Sequence, residues 1–220
     1  MKNLSISFTL GKGLAAHGSN IQHNNRKFTA KNVDETRFTS NITYKQQYIE
    51  DAYLQLFSKA LREYNEKQKK DCRKIDDYYA HIVRGRREEP FYEVIVQFGD
   101  CHTAASGTPD GDRAKAMLDE YMKMFQVRNP NLYVFNAVLH DDEASPHLHI
   151  DFIPFYTHGA RLVCQKACRC AQHCRRWALR RRTVRRIIWS RGKNLSESTW
   201  RRFCIVTVMG ARIRTRIIRT

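Results

Sequence analysis

Ten residues, His140-Asp-Asp-Glu-Ala-Ser-Pro-His-Leu-His149, constrain this chain more than any other stretch. They hold three histidines and three carboxylates between two segments that read as β-strands. Upstream, residues 132–139 are almost wholly apolar; downstream, 147–153 alternate, with His147, His149 and Asp151 on one face and Leu148, Ile150 and Phe152 on the other. Residues 141–146 are rich in turn formers, so the two strands are expected to pair antiparallel and bring His140 back beside His147 and His149. Three imidazoles on one side of a sheet suit a divalent metal with a coordination position left for a substrate oxygen. Zinc, manganese and magnesium all stay open on this pattern.

The remaining elements follow from periodicity. Leu4, Ile6 and Phe8 alternate with hydroxyl residues, a first strand that ends at Gly11-Lys-Gly13. Residues 23–44 are polar and offer little to a core, which marks a binding surface more than a connection. Ile49, Ala52, Tyr53, Leu56, Phe57, Ala60, Leu61 and Tyr64 fall at helical spacing. The charged segment 66–87 reads as solvated helix and loop. Tyr92, Val94, Val96 and Phe98 form one face of a strand, and Asp112 is placed to cap a helix whose inner stripe is Ala114, Met117, Leu118, Tyr121 and Phe125, ended by Asn129-Pro130. The order strand, long helix, strand, helix, strand, strand predicts an α+β domain, an antiparallel β-sheet flanked by helices. No run is long and apolar enough for a membrane segment, and the opening residues lack a signal peptide's apolar core, so a cytoplasmic protein is expected, without disulfides.

The histidine segment resembles a known family. His140-x-Asp142-Glu143-x-x-Pro146-His147-x-His149 is similar to the third motif of the MobV relaxases, the Mob or Pre proteins of plasmid mobilisation and recombination. His23-Asn24-x-Arg26 followed by Asn32-x-Asp34-x-x-Arg37 and Asn41 is similar to that family's first motif, and the resemblance covers residues 1–158. It implies an HUH-class relaxase: a metal-dependent enzyme that nicks one strand of single-stranded origin-of-transfer DNA and stays covalently attached to the 5′ phosphate until rejoining. On that resemblance His140, His147 and His149 would hold Mn2+ or Mg2+, with Zn2+ as a further option, and Glu143 would orient a histidine or take up a proton. His23 would be the nucleophile, with Tyr44 as the alternative because most HUH relaxases use tyrosine. Asn24, Arg26, Arg37 and Asn41 would contact DNA, the arginines through phosphate, whereas Asp142 is shared between this site and simple turn formation. A homodimer would form through the family's C-terminal region, which is expected to be missing from this chain. A rolling-circle replication initiator and a catalytically dead origin-binding remnant are the competing readings.

Charge then separates two parts of the chain. Residues 1–160 contain 21 basic and 21 acidic residues, whereas 161–220 contain 18 basic residues and one acid, Glu197. The net charge of +17 therefore resides entirely in the tail, with five of the seven cysteines and all three tryptophans. Cys164-x-x-x-Cys168-x-Cys170-x-x-x-Cys174 could be read as a zinc-binding appendage. Shifting the reading register by two bases, however, lets residues 163–174 become Leu-Ser-Lys-Gly-Val-Ser-Met-Arg-Ala-Ala-Leu, and residues 203–212 allow Leu-His-Arg-Tyr-Gly-Tyr-Gly-Arg, both resembling family sequence. Residues 159–220 are therefore expected to be an out-of-frame, disordered extension after a frameshift near codons 159–163. Its cations would bind DNA nonspecifically and with strong salt dependence.

Overall fold

Tyr92–Phe98, β3, lies inside an antiparallel sheet whose strands run in the order β2-β4-β5-β3-β1-β6. The computed structural model describes residues 4–12, 19–85, 88–155 and 213–214. The other strands are β1 (Ile6–Lys12), β2 (Ile42–Gln46), β4 (Leu132–His140), β5 (His147–Pro154) and β6 (Ile213–Arg214). The helices are α1 (Ser19–Asn24), α2 (Ile49–Glu66), α3 (Tyr78–Gly85), α4 (Pro109–Lys123) and α5 (Phe125–Arg128). The expected α+β architecture is what the chain adopts. Among the described residues no helix is long and apolar enough to cross a membrane.

Helices cover both faces of the sheet, so its central strands bury side chains on both sides. On one face Val96, Leu139, Leu148, Ile150 and Phe152 meet Ala114, Leu118 and Tyr121 of α4 and Phe125 of α5. Leu118 is fully buried there, a placement that stabilises by about 1.5–3 kcal/mol relative to exposure. On the other face Phe91, Phe135 and Ile153 pack on Ala52, Tyr53 and Phe57 of α2 and Tyr78 and Ile82 of α3. This second core occupies only one end of its face. The opposite end carries the histidines.

Three local expectations change. The polar stretch contains the edge strand β2, whose Ile42 and Tyr44 pack against the first core; a five-residue edge strand with a register irregularity shows too little alternation to be read. The charged segment is not wholly solvated, because α3 buries Tyr78 and Ile82. Helix α4 is capped by Thr108, which accepts from the Gly111 N–H, and Asp112 lies within its first turn. From the tail, the structure describes Ile213–Arg214, paired antiparallel with β1 through Phe8↔Ile213 and Ser7↔Arg214. The cysteine cluster and the expected frameshift lie outside the described residues.

Candidate metal centre

Strand register alone assembles the histidines. On the β4–β5 ladder His140 pairs with His147 and Val138 with His149, so the three rings share one face with centroids 5.3, 4.9 and 5.0 Å apart. One nitrogen of each ring lies within 4.8 Å of the others. Each opposite nitrogen is tied to an acceptor: His140 Nε2 to the Asn24 carbonyl at 2.8 Å, His147 Nδ1 to the Ser145 carbonyl at 2.9 Å, and His149 Nδ1 to Glu93 Oε1 at 2.7 Å. An oxygen that only accepts requires the N–H on that nitrogen, so the lone pairs fall on His140 Nδ1, His147 Nε2 and His149 Nε2. Two of these, His140 Nδ1 and His149 Nε2, are buried without a hydrogen-bond partner. Burial, then the neighbouring His149, pushes His140 down to about 2, and the same causes lower His147. Neutral rings with converging, unspent lone pairs fit a divalent cation.

A buried polar layer supports the rings from below. Asn24 Nδ2 donates to Glu93 Oε1 at 2.8 Å and to Asp151 Oδ2 at 3.3 Å, and Asn136 Nδ2 donates to Asp151 Oδ2 at 2.8 Å. Burial, then the Glu93 charge, pushes Asp151 up to about 7, so this carboxyl keeps its proton well above the usual carboxylate range.

The first polar segment folds over the histidines. His23, at the end of α1, has its ring centroid 5.8 Å from His140 and 6.2 Å from His149. Its Nε2 lies 3.3 Å from Glu143 Oε1. Burial, then the charge of Arg26, lowers its pKa, against the opposing pull of Glu143. Helix α1 ends in a Schellman turn: Lys27 N–H bonds to Gln22 O at 2.8 Å and Arg26 N–H to His23 O at 3.0 Å. Arg26 occupies the left-handed position of that turn, φ 49°, where glycine is usual. Its side chain reaches Asp142, Glu143 and His23.

Asp142, which the sequence left between site and turn, is fully buried. Burial opposes its charge, yet the Arg26 and Asn41 hydrogen bonds hold its pKa below the ordinary value. Asn41 Oδ1 also accepts from the Asp141 N–H at 2.7 Å. Asp141 in turn holds Arg37 at 3.1 Å and Lys115 at 3.0 Å. Asn32 Nδ2 donates to Glu143 Oε2 at 2.7 Å.

The expected site residues thus divide. His23, Glu143, His140, His147 and His149 converge. Arg37 pairs with Asp141, the residue after His140, and its side chain is 27% exposed. Asn24 and Asn41, expected at DNA, turn inward: Asn24 is 1% exposed and its backbone carbonyl fixes His140. Tyr44 is on the other side of the sheet, within the first core, donating to Asp119 Oδ1 at 2.8 Å. Burial, then Asp119, raises its pKa, the reverse of what a phenoxide nucleophile needs. Glu93 and Asn136 were missed. Glu93 falls on the face of β3 opposite its apolar row, and the readable signal for Asn136 was an amide within an otherwise apolar strand.

A family model described as Mob_Pre, plasmid recombination enzyme, matches residues 19–174. No curated protein matches. Among solved structures, the chain is similar to the MobM relaxase domain (MOBV; Mob_Pre) bound to plasmid pMV158 oriT DNA of 22 nucleotides, Mn-bound at pH 5.5, with 19% identity over 87% of this chain and 92% of that one and a TM-score of 0.45. A second structure of that domain, with 23-nucleotide oriT DNA and Mn at pH 6.5, aligns with 18% identity over 90% of this chain and 96% of that one, TM-score 0.42.

Proposed function

The chain belongs to the Mob_Pre family of plasmid recombination enzymes, and from that premise we propose that it is a relaxase that nicks single-stranded origin-of-transfer DNA for mobilisation or recombination. The observation that carries this reading is His23 lying over the three-histidine cluster, 5.8 Å from the His140 ring. His140, His147 and His149 would hold the cation, Mn2+ as in the MobM relaxase domain or Mg2+. When bound, it would polarise the scissile phosphate and neutralise charge on its oxygens.

The chain's own groups supply the rest. With its ring proton on Nδ1, neutral His23 accepts from Arg26 Nη1 at Nε2, 3.2 Å away; that hydrogen bond gives way as the Nε2 lone pair attacks phosphorus. An N–P bond forms and the P–O3′ bond breaks; the 3′-oxygen leaves as a hydroxyl after taking up a proton, and the ring releases its Nδ1 proton, so charge balances. The product is a 5′-phosphate carried on histidine and a free 3′-hydroxyl, and attack by a 3′-hydroxyl reverses the step. Glu143, 3.3 Å from Nε2, steadies the positive charge that attack places on the ring. Arg37, paired with Asp141 next to His140 in the chain, serves as a phosphate contact.

Incubation with single-stranded origin DNA and Mn2+ tests this. The unaltered chain and Tyr44→Phe should form a covalent protein–DNA adduct, and His23→Ala should not. Adduct in His23→Ala but not in Tyr44→Phe would sink the histidine mechanism, and DNA binding with no adduct in any form would leave an origin-binding remnant. Residues 159–220 remain, in this reading, an out-of-frame extension. The family match runs to residue 174, past codons 159–163 where the shift is placed, and sequencing codons 155–165 of the gene tests for the shift.

A further inference from the structure

Arg26 looks like a phosphate-binding residue by sequence, yet its guanidinium is already saturated. A guanidinium has five N–H donors. In this site Nε donates to Asp142 Oδ2 at 2.8 Å and one Nη2 hydrogen to Asp142 Oδ1, a bidentate fork, while the other Nη2 hydrogen goes to Glu143 Oε1 at 2.9 Å. Nη1 lies 3.2 Å from His23 Nε2 and 3.2 Å from the His23 carbonyl. These five contacts use every donor. The side chain is 12% exposed and Asp142 beneath it is fully buried, so turning the fork toward DNA would strand a buried carboxylate without its cation, a strongly unfavourable state. The backbone adds to this. A non-glycine residue at φ 49° is costly and persists where the surroundings hold it; the interactions that hold it are those of the fork.

We propose that Arg26 is a positioning residue that fixes His23 and Glu143 over the metal ligands and makes no contact with the DNA phosphate. The inference rests on the relaxase reading for its chemistry. Its geometry, a cation spent wholly on protein acceptors, stands on the contacts alone. Arg26 ties three separate pieces together: the end of α1 that carries His23, the β4–β5 turn that carries Asp142 and Glu143, and, through Asn41 on the same Asp142 carboxylate, the entry to β2. Because only the planar fork meets Asp142, Glu143 and His23 at once, lysine should not replace it, although lysine would satisfy a phosphate.

The experiment compares Arg26→Lys and Arg26→Gln in the full chain, measuring single-turnover adduct formation at saturating single-stranded origin DNA and binding affinity across a salt series. A positioning role predicts that both variants lose about 100-fold in rate while affinity and salt dependence stay as in the unaltered chain. A phosphate contact predicts that Arg26→Lys retains most of the rate and that Arg26→Gln lowers the slope of log affinity against log salt by about 0.7; that pair of results overturns the proposal. Thermal unfolding and Mn2+ binding identify a variant that has lost its fold. In that event Asp142→Asn decides, because it unties Arg26 while leaving its charge: loss of rate at unchanged affinity supports positioning, and tighter DNA binding with retained rate overturns it. If the unaltered chain forms no adduct, the relaxase reading fails, and the salt series alone still shows whether Arg26 meets phosphate.

Discussion

Asp151 shows how one buried residue sets the chemistry of its neighbours. Fully buried beside Glu93, it is pushed up to about 7, so between its ordinary value of 3.8 and pH 7 the folded chain keeps a proton that the unfolded chain has lost. Stability from this group therefore falls as pH rises through that window, by at most about 1.4 kcal/mol per pH unit. His140 and His147, held below their ordinary value, contribute the opposite slope below pH 6.5, because the unfolded chain binds their protons first. Asp151→Asn removes only the first effect. In metal-free denaturant titrations the variant should gain stability relative to the unaltered chain as pH rises from 4 to 7. A difference that stays constant with pH would show that Asp151 is ionised in the fold.

Elements differ in how plainly their residues announce them. The helix α2, the strands β1, β3, β4 and β5, and the buried stripe of α4 follow from apolar spacing, because each packs a regular apolar row into a core. The edge strand β2 and the short helices α1 and α3 do not. They are too short for a period to emerge, and their residues are chosen for contacts to other elements. The start of α4 illustrates the point: Gly111 sits in its first turn, where a Cβ would stand 2.0 Å from the Ala105 carbonyl oxygen. Gly111→Ala gains helix propensity locally, yet the backbone would have to move, and overpacking of this kind costs about 1–3 kcal/mol. A lowered unfolding midpoint by chemical denaturation is expected, and a variant as stable as the unaltered chain would show that the loop before α4 yields easily.

At the scale of the molecule, the sheet joins two different surfaces: a core continued along one face, and on the other a core at one end with a polar, metal-ready centre at the opposite end. A cation that binds only the folded centre must stabilise the whole domain by mass action, about 2.7 kcal/mol at 100 times Kd. Added Mn2+ should therefore raise the thermal midpoint of the full chain, EDTA should reverse the rise, and His149→Ala should abolish it. An equal rise in that variant would place the cation elsewhere. The α+β class, the hairpin that unites His140, His147 and His149, and the compositional break after residue 160 are legible from the residues alone, because local periodicity and strand register require no distant partner. Which other groups lie around the three rings follows from long-range packing. The strand β2 places Tyr44 on the other side of the sheet, burial brings Glu93 and Asn24 beneath the rings, and Arg26 is paired with the buried Asp142. Those roles depend on contacts between segments about 70 to 130 residues apart, and a polar residue in an isolated sequence gives no sign of whether it will meet water or a buried partner.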